Sequence, residues 1–436
     1  MSPIEIGLLS VAAIVVLIYL GLYIPIALAS VSFVAIWIMR DSPQLSLNLL
    51  KIAVGDSVME YAFATIPLFT FMGLIVSKAG LGTDVYEVMN SAFRTVRGGL
   101  GMATVGANAV FAAVTGSSIA SASVFAKIAV PEMMRFEYGK RFAVGVVAGS
   151  SVLGMIIPPS AMLIIYSFVA EQSVAEMFLA GVIPGLILAA AFIIAIFLMG
   201  RVMPRFVGGP ASMESSIPAL GLGEALSKTV PTVLLIVVVL GGIYTGWLTA
   251  VEAGAAGAAV GLLIALVRRR MTWRGFWEAT VETGRITAAI LFLITAASIY
   301  SRMLGLAGLP NELATFLDTN QFGFVWVMVF YVILMIFLGT ILDTASIILI
   351  VVPLFLPLID QMGLSLVWFG IISVVVAEIG LLTPPLGLSC FVIKATLDDP
   401  RITLKDVFLG AFPFAVVMLL VLIVLIRYPA LSLALV

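Results

Sequence analysis

Histidine is absent from the 436 residues, and cysteine occurs once, as Cys390. The first absence removes the usual general base and the commonest metal ligand. The second leaves no partner for a disulfide and no thiolate cluster for a metal. Charge is scarce too: Asp, Glu, Lys and Arg make up 10% of the chain, the net charge is −1, and no dense Lys/Arg patch occurs. That balance argues against nucleic-acid partners. No Gly-rich loop ending in Lys-Ser/Thr is present to cradle a phosphate, so ATP-driven work lacks support. An intramembrane protease without histidine would need a Ser-Lys or paired-Asp arrangement. Lys127 and Asp343 fall in different halves of the chain, with no supporting motif.

What fills the chain instead is apolar: 62% of residues are hydrophobic, in recurring runs of about the twenty residues that a helix needs to cross a bilayer. The fold class is therefore an all-α polytopic membrane protein, since only closed backbone hydrogen bonding survives in hydrocarbon. The first run starts within a few residues of Met1, with no basic flank or small-residue cleavage site. It is expected to be a retained span and not a signal.

Two stretches organise the rest: Gly154-Met155-Ile156-Ile157-Pro158-Pro159 and Gly380-Leu381-Leu382-Thr383-Pro384-Pro385. Paired prolines remove backbone donors and bar the α conformation before them, so each helix must break. The offset that places Pro158 on Pro384, 226 residues, also places Pro131 on Pro357 and Thr115-Gly116-Ser117-Ser118 on Ile341-Leu342-Asp343-Thr344. The pattern predicts two copies of one unit. Residues 1–205 form the first repeat, 206–228 a cytoplasmic linker and 229–436 the second repeat. Each repeat holds a hairpin (98–135 and 323–362) and a Pro-Pro broken helix (142–171 and 366–394).

Basic residues set the topology. Arg94 and Arg97 precede the apolar stretch 100–134, and Arg135, Lys140 and Arg141 follow it, so both its ends belong to the cytoplasm. It turns at Thr115-Gly116-Ser117-Ser118, either as a re-entrant hairpin or as two complete spans. The arms, about 15 to 17 residues each, are short for tilted spans, which favours the hairpin. Residues 43–60 and 271–285 read as interfacial, with Trp273 and Trp277 as anchors, 80–97 as a surface helix, and 286–304 as a crossing. Five full spans and one hairpin per half make the second half inverted. Arg40 and Lys51 are the exceptions to the positive-inside rule.

Unwound backbone in a bilayer is costly unless it lines a polar site. Hairpin tips and Pro-Pro loops of inverted halves would meet near the midplane. There, free carbonyls and hydroxyls suit a hard monovalent cation such as Na⁺, and helix N-termini suit an anion. Asp343 is either a cation-site residue or a helix cap, Glu378 either functional or bonded to its own broken helix, and Ser117, Ser118 and Thr344 caps, ion ligands or both. A channel and a proton-coupled anion carrier are the alternatives.

Longer motifs carry a family resemblance: Thr115-Gly116-Ser117-Ser118, Ile156-Ile157-Pro158-Pro159-Ser160, Phe178 to Gly185, Gly241 to Gly246, Glu378 to Pro385 and the closing Tyr428-Pro429-Ala430-Leu431-Ser432-Leu433. Over essentially its whole length the chain resembles the large membrane subunit of tripartite ATP-independent periplasmic (TRAP) transporters. The resemblance implies a Na⁺-coupled importer of the bacterial inner membrane that works as an elevator, its hairpins and broken helices moving against a scaffold of the other spans. It implies as partners a small four-helix membrane subunit and a periplasmic solute-binding protein, and as substrate a small organic anion such as a C4-dicarboxylate, a sialic acid or a sulfonate. It implies no cofactor beyond the coupling ion. The sodium ligands it implies are Gly116, Ser117, Ser118, Gly154 and Pro158 at one site, and Gly339, Asp343, Thr344, Gly380, Thr383 and Pro384 at the other. Ser118, Ser160, Thr344 and Ser389 are the candidate substrate contacts. Val376 and Ser389 stand where the family often has Asn.

Overall fold

A computed structural model describes residues 2–209, 219–320 and 322–436. The described chain is helical nearly throughout. Among the described residues seven helices are long and apolar enough to cross a membrane, or eight if one bent pair counts as a single span. Pro3–Tyr19 and Ile24–Arg40, with 17 residues each, lie at the short end of that range, since 17 residues rise only about 25 Å.

Helices stop and restart across 116–117, 157–160, 340–343 and 382–387. The first hairpin has arms Gly99–Thr115 and Ser118–Arg135, and the second has arms Phe324–Gly339 and Thr344–Gln361. The first broken helix runs Lys140–Ile156, turns by 45° through the prolines and resumes as Ala161–Val169. The second runs Leu366–Leu381 and resumes as Leu388–Leu397. Both Pro-Pro bonds are cis. Ser160, in the extended conformation, caps the resumed helix by accepting from Leu163 N, which is how a helix restarts cleanly after a proline stop.

The two halves of the chain are woven together. The resumed limb 161–169 packs on the second hairpin arm 344–361, and the limb 388–397 packs on the first hairpin arm 118–135. Helix 140–151 lies against Leu404–Arg427 where Gly145 faces Gly410, so closely that a Cβ on either would collide with the other's backbone. Small residues permit such approach between apolar helices, where packing and not water exclusion supplies the attraction. Around this unit, Ala250–Val267 and the long helix Trp273–Ala307 pack on Thr65–Lys78, and Trp273–Ala307 also packs on Ile24–Arg40.

Three expectations need correction. Residues 271–285 and 286–304 are one 35-residue helix, Trp273–Ala307, capped by Thr272 and ended by Gly308 at φ 74°, with no proline to divide it. The linker expected at 206–228 contains the start of helix Leu222–Ile236, which continues to Tyr244; residues 210–218 of that linker lie outside the described residues. The helix in 80–97, Leu81–Phe93, is no free surface helix: Asp84, Tyr86 and Asn90 are buried, and it packs along the hairpin arm 99–115. Asp84 pairs there with Arg268 and, at 2.7 Å, with Arg270.

Candidate functional site

At the first break, Gly116 ends its hairpin arm with φ 61°, a conformation glycine adopts without a Cβ penalty. A Cβ there would lie 2.4 Å from the Pro159 carbonyl oxygen. Ala161 N donates to Gly116 O at 3.2 Å, fastening the tip to the restarted helix. Gly154 faces the tip from the other side: its Cβ would fall 2.7 Å from Ser117 O and 3.0 Å from Ser118 N. Ser117 caps the second arm by accepting from Ala120 N at 3.3 Å. The structure thus brings Gly116, Ser117, Ser118 and Gly154 together. Pro158 sits in the adjoining loop, against Gly181 of helix Val174–Val202.

The second break repeats the arrangement with different side chains. Gly339 and Gly380 meet backbone to backbone, a Cβ on Gly380 falling 2.6 Å from Gly339 Cα. Leu386 N donates to Thr340 O at 3.1 Å, the counterpart of the Ala161 to Gly116 bond. Asp343 caps the second arm, accepting from Ser346 N at 3.2 Å and from the Ser346 hydroxyl. Thr344 Oγ1 donates to Glu378 Oε1 at 2.9 Å. Thr383 turns its hydroxyl back to Ile379 O at 2.8 Å. Pro384 lies in an open loop: Pro384, Pro385 and Leu386 are exposed, whereas Pro158 and Pro159 are buried.

Glu378 is the residue that sequence reasoning under-weighted. It bonds the hairpin and not its own helix, across 34 positions of sequence, a separation at which no local pattern gives a signal.

A cavity of about 190 Å³ lies beside the first break. Its walls are Phe69, Thr70 and Gly73 of one span, Thr115 and Ser117 of the tip, and Ile290 of the long helix, and no charged side chain lines it. Of the candidate substrate contacts, Ser118, Ser160, Thr344 and Ser389 are buried but none forms part of this wall. Ser160 donates to Met155 O, and the Ser389 hydroxyl has no partner. Thr70, Gly73 and Ser77 all line the cavity, and their three- and four-residue spacing is the signal that would have marked this face of the span.

Among the described residues no group of three or more His, Cys, Asp or Glu side chains converges as a metal site. The oxygens at both breaks are backbone carbonyls and hydroxyls, joined at the second break by the carboxyl groups of Asp343 and Glu378. Such oxygens suit a hard cation and not a thiophilic metal.

The model of the DctM component of tripartite ATP-independent periplasmic transporters matches residues 11–431. The chain is 33% identical over 406 residues to the C4-dicarboxylate TRAP transporter large permease protein DctM of Pseudomonas aeruginosa, covering 92% of each. It is 28% identical over 375 residues to the isethionate TRAP transporter permease protein DctMQ of Oleidesulfovibrio alaskensis, covering 86% of this chain and 58% of that one. Among solved structures, it is similar in fold to the YdaH transporter of Alcanivorax borkumensis, with TM-score 0.64, 12% identity and 89% of both chains covered.

Proposed function

We propose a function from one premise: the chain belongs to the DctM component family of the tripartite ATP-independent periplasmic transporters. It is a multi-pass permease of the bacterial inner membrane and not an enzyme. Within that family its role is to import a small organic anion, a carboxylate or sulfonate, coupled to Na⁺ entry. The observation that carries this reading is the pair of breaks, each holding a hairpin tip against a Pro-Pro broken helix through glycine contacts and one backbone hydrogen bond. Broken backbone with uncommitted oxygens is how secondary transporters hold ions at mid-membrane. The first sodium site is Gly116, Ser117, Ser118, Gly154 and Pro158, and the second Gly339, Asp343, Thr344, Gly380, Thr383 and Pro384.

The cross-packing of each resumed limb on the other hairpin supports two inverted repeats that move as one body, by an elevator stroke, against the outer helices. The partners are a small membrane subunit and a periplasmic binding protein. A relative named DctMQ, of which this chain covers 58%, is consistent with a second membrane module beside this one. The relatives' names differ in solute, C4-dicarboxylate in one and isethionate in the other, so the anion is left at the level of class.

Uptake into proteoliposomes tests the reading. With the small subunit reconstituted, a loaded binding protein outside and an inward Na⁺ gradient, uptake requires both sodium and the binding protein, and it collapses in Asp343→Ala. Uptake indifferent to sodium would remove the ion sites and favour a channel or proton coupling.

A further inference from the structure

Glu378 is fully buried, and Thr344, its one hydrogen-bond partner, is 4% exposed. The other carboxyl oxygen, Oε2, has no partner, and no ion pair reaches the residue among the described residues. Of the segments packed on Leu366–Leu381, Leu388–Leu397 carries Lys394, whose Nζ donates to Asp399 O at 2.8 Å. Phe324–Gly339, Leu153–Ile156 and Ala161–Val169 contain no charged residue, and Thr344–Gln361 has only Asp360 at its far end. Helices 174–202 and 404–427 carry theirs in their terminal turns. A carboxyl kept so far from water and from cations is expensive and persists for a reason.

That reason is not the fold of a hairpin against a break. The 226-residue offset sets Ser118 opposite Thr344 and Val152 opposite Glu378. The first break therefore assembles with an apolar residue where the second has an acid. What Glu378 adds is local to Thr344. A hydroxyl has one proton and two lone pairs. When the proton goes to Glu378 Oε1, both lone pairs are left to face outward, at the tip where Asp343 and the Gly339–Gly380 contact lie.

We propose that Glu378 is a positioning residue for cation binding at the second break: it accepts a hydrogen bond from the Thr344 hydroxyl and so turns that oxygen's lone pairs to the ion. Partners behind a ligand fix its orientation in this way at metal sites, and losing them costs about 10–100-fold in affinity. The inference rests on the sodium-coupled reading and adds to it a residue that the reading leaves out.

The test measures the half-saturating sodium concentration for uptake, together with the sodium-induced rise in melting temperature of the purified complex. Glu378→Leu raises half-saturating sodium by at least about tenfold, and solute half-saturation at saturating sodium does not change. Glu378→Gln keeps an acceptor oxygen and stays within about twofold of wild type. Thr344→Val matches Glu378→Leu, the double variant is no worse than either single one, and Thr344→Ser restores what Thr344→Val loses. The inference is overturned if Glu378→Leu leaves sodium dependence intact, if Glu378→Gln is as damaging as Leu, if the double variant multiplies the losses, or if Thr344→Ser fails to restore. Where Glu378→Leu does not assemble, the two Thr344 variants and Glu378→Gln decide alone. Wild-type uptake indifferent to sodium would instead defeat the parent reading.

Discussion

Four glycines hold the two breaks closed, and each is there for lack of a side chain. Gly380 and Gly339 touch through their α-carbons, so Gly380→Ala forces the tip off the broken helix, with no flexible side chain to yield. The expected cost is at least about 1–3 kcal/mol, read as a lower melting temperature and a loss of uptake. Gly154→Ala meets the Ser117 carbonyl at 2.7 Å and behaves alike. Gly284, inside the long helix with nothing within 4 Å of its would-be Cβ, is the control. Alanine there is neutral or stabilises by up to about 1 kcal/mol, because helical glycine carries an entropic cost. Gly154 and Gly380 were legible in the sequence, since the offset that aligns the prolines also aligns them, whereas Gly116 and Gly339 fall opposite Leu342 and Ala113 and were named only through the family resemblance. The bond between Thr344 and Glu378 was not, because two apolar helices can meet at many rotations and the sequence of neither states which.

At the scale of elements, the resumed helix Ala161–Val169 is tied to the first hairpin tip by one backbone bond that can be removed alone. Ala161 is its first residue, a position where proline fits, and Ser160 before it is already extended (φ −125°, ψ 129°), as a residue preceding proline prefers. Ala161→Pro therefore spares the helix and deletes only the donor to Gly116 O. The stranded carbonyl costs about 1–3 kcal/mol and loosens the first tip. The expected result is weaker sodium dependence at that site with near-normal expression, measured by uptake against sodium and by thermal unfolding with and without it. Unchanged curves would mean that the tip is held by packing. The elements themselves show what composition can and cannot convey. Proline breaks and glycine turns are local, so the residues where helices stop and restart, such as Gly116 and Pro158-Pro159, can be named from residue type alone. The helix Trp273–Ala307 was expected as two pieces because its first half carries Glu278, Glu282 and Arg285 among tryptophans. Polarity reports depth in a membrane, whereas continuity is decided by breakers, and this stretch has no proline.

At the scale of the whole molecule, the proposed elevator stroke requires a moving unit to slide past a fixed one, and one close contact lies on the surface where that sliding would occur. Asp84 binds Arg268 and Arg270 and so fastens helix Leu81–Phe93 to the end of Ala250–Val267, which packs on Thr65–Lys78. In the proposed stroke these elements are part of the scaffold. The hairpin begins just beyond, after Gly98 at φ 79°. Between the two, Gly73 of the scaffold lies on the tip backbone, where a Cβ would be 2.8 Å from Thr115 O and 3.0 Å from Thr115 Cα. The same glycine lines the cavity beside the first break. A larger side chain at 73 would wedge the tip away from the scaffold in this arrangement while touching none of the proposed sodium ligands directly. Gly73→Val is therefore expected to cut maximal uptake by about tenfold or more, equivalent to about 1.4 kcal/mol on the limiting step. Half-saturating sodium should stay within about twofold of wild type, because the variant removes no ligand. Measuring both parameters in one proteoliposome series separates motion from binding. A rise in half-saturating sodium with maximal uptake intact would place Gly73 in the ion site and not on the sliding surface.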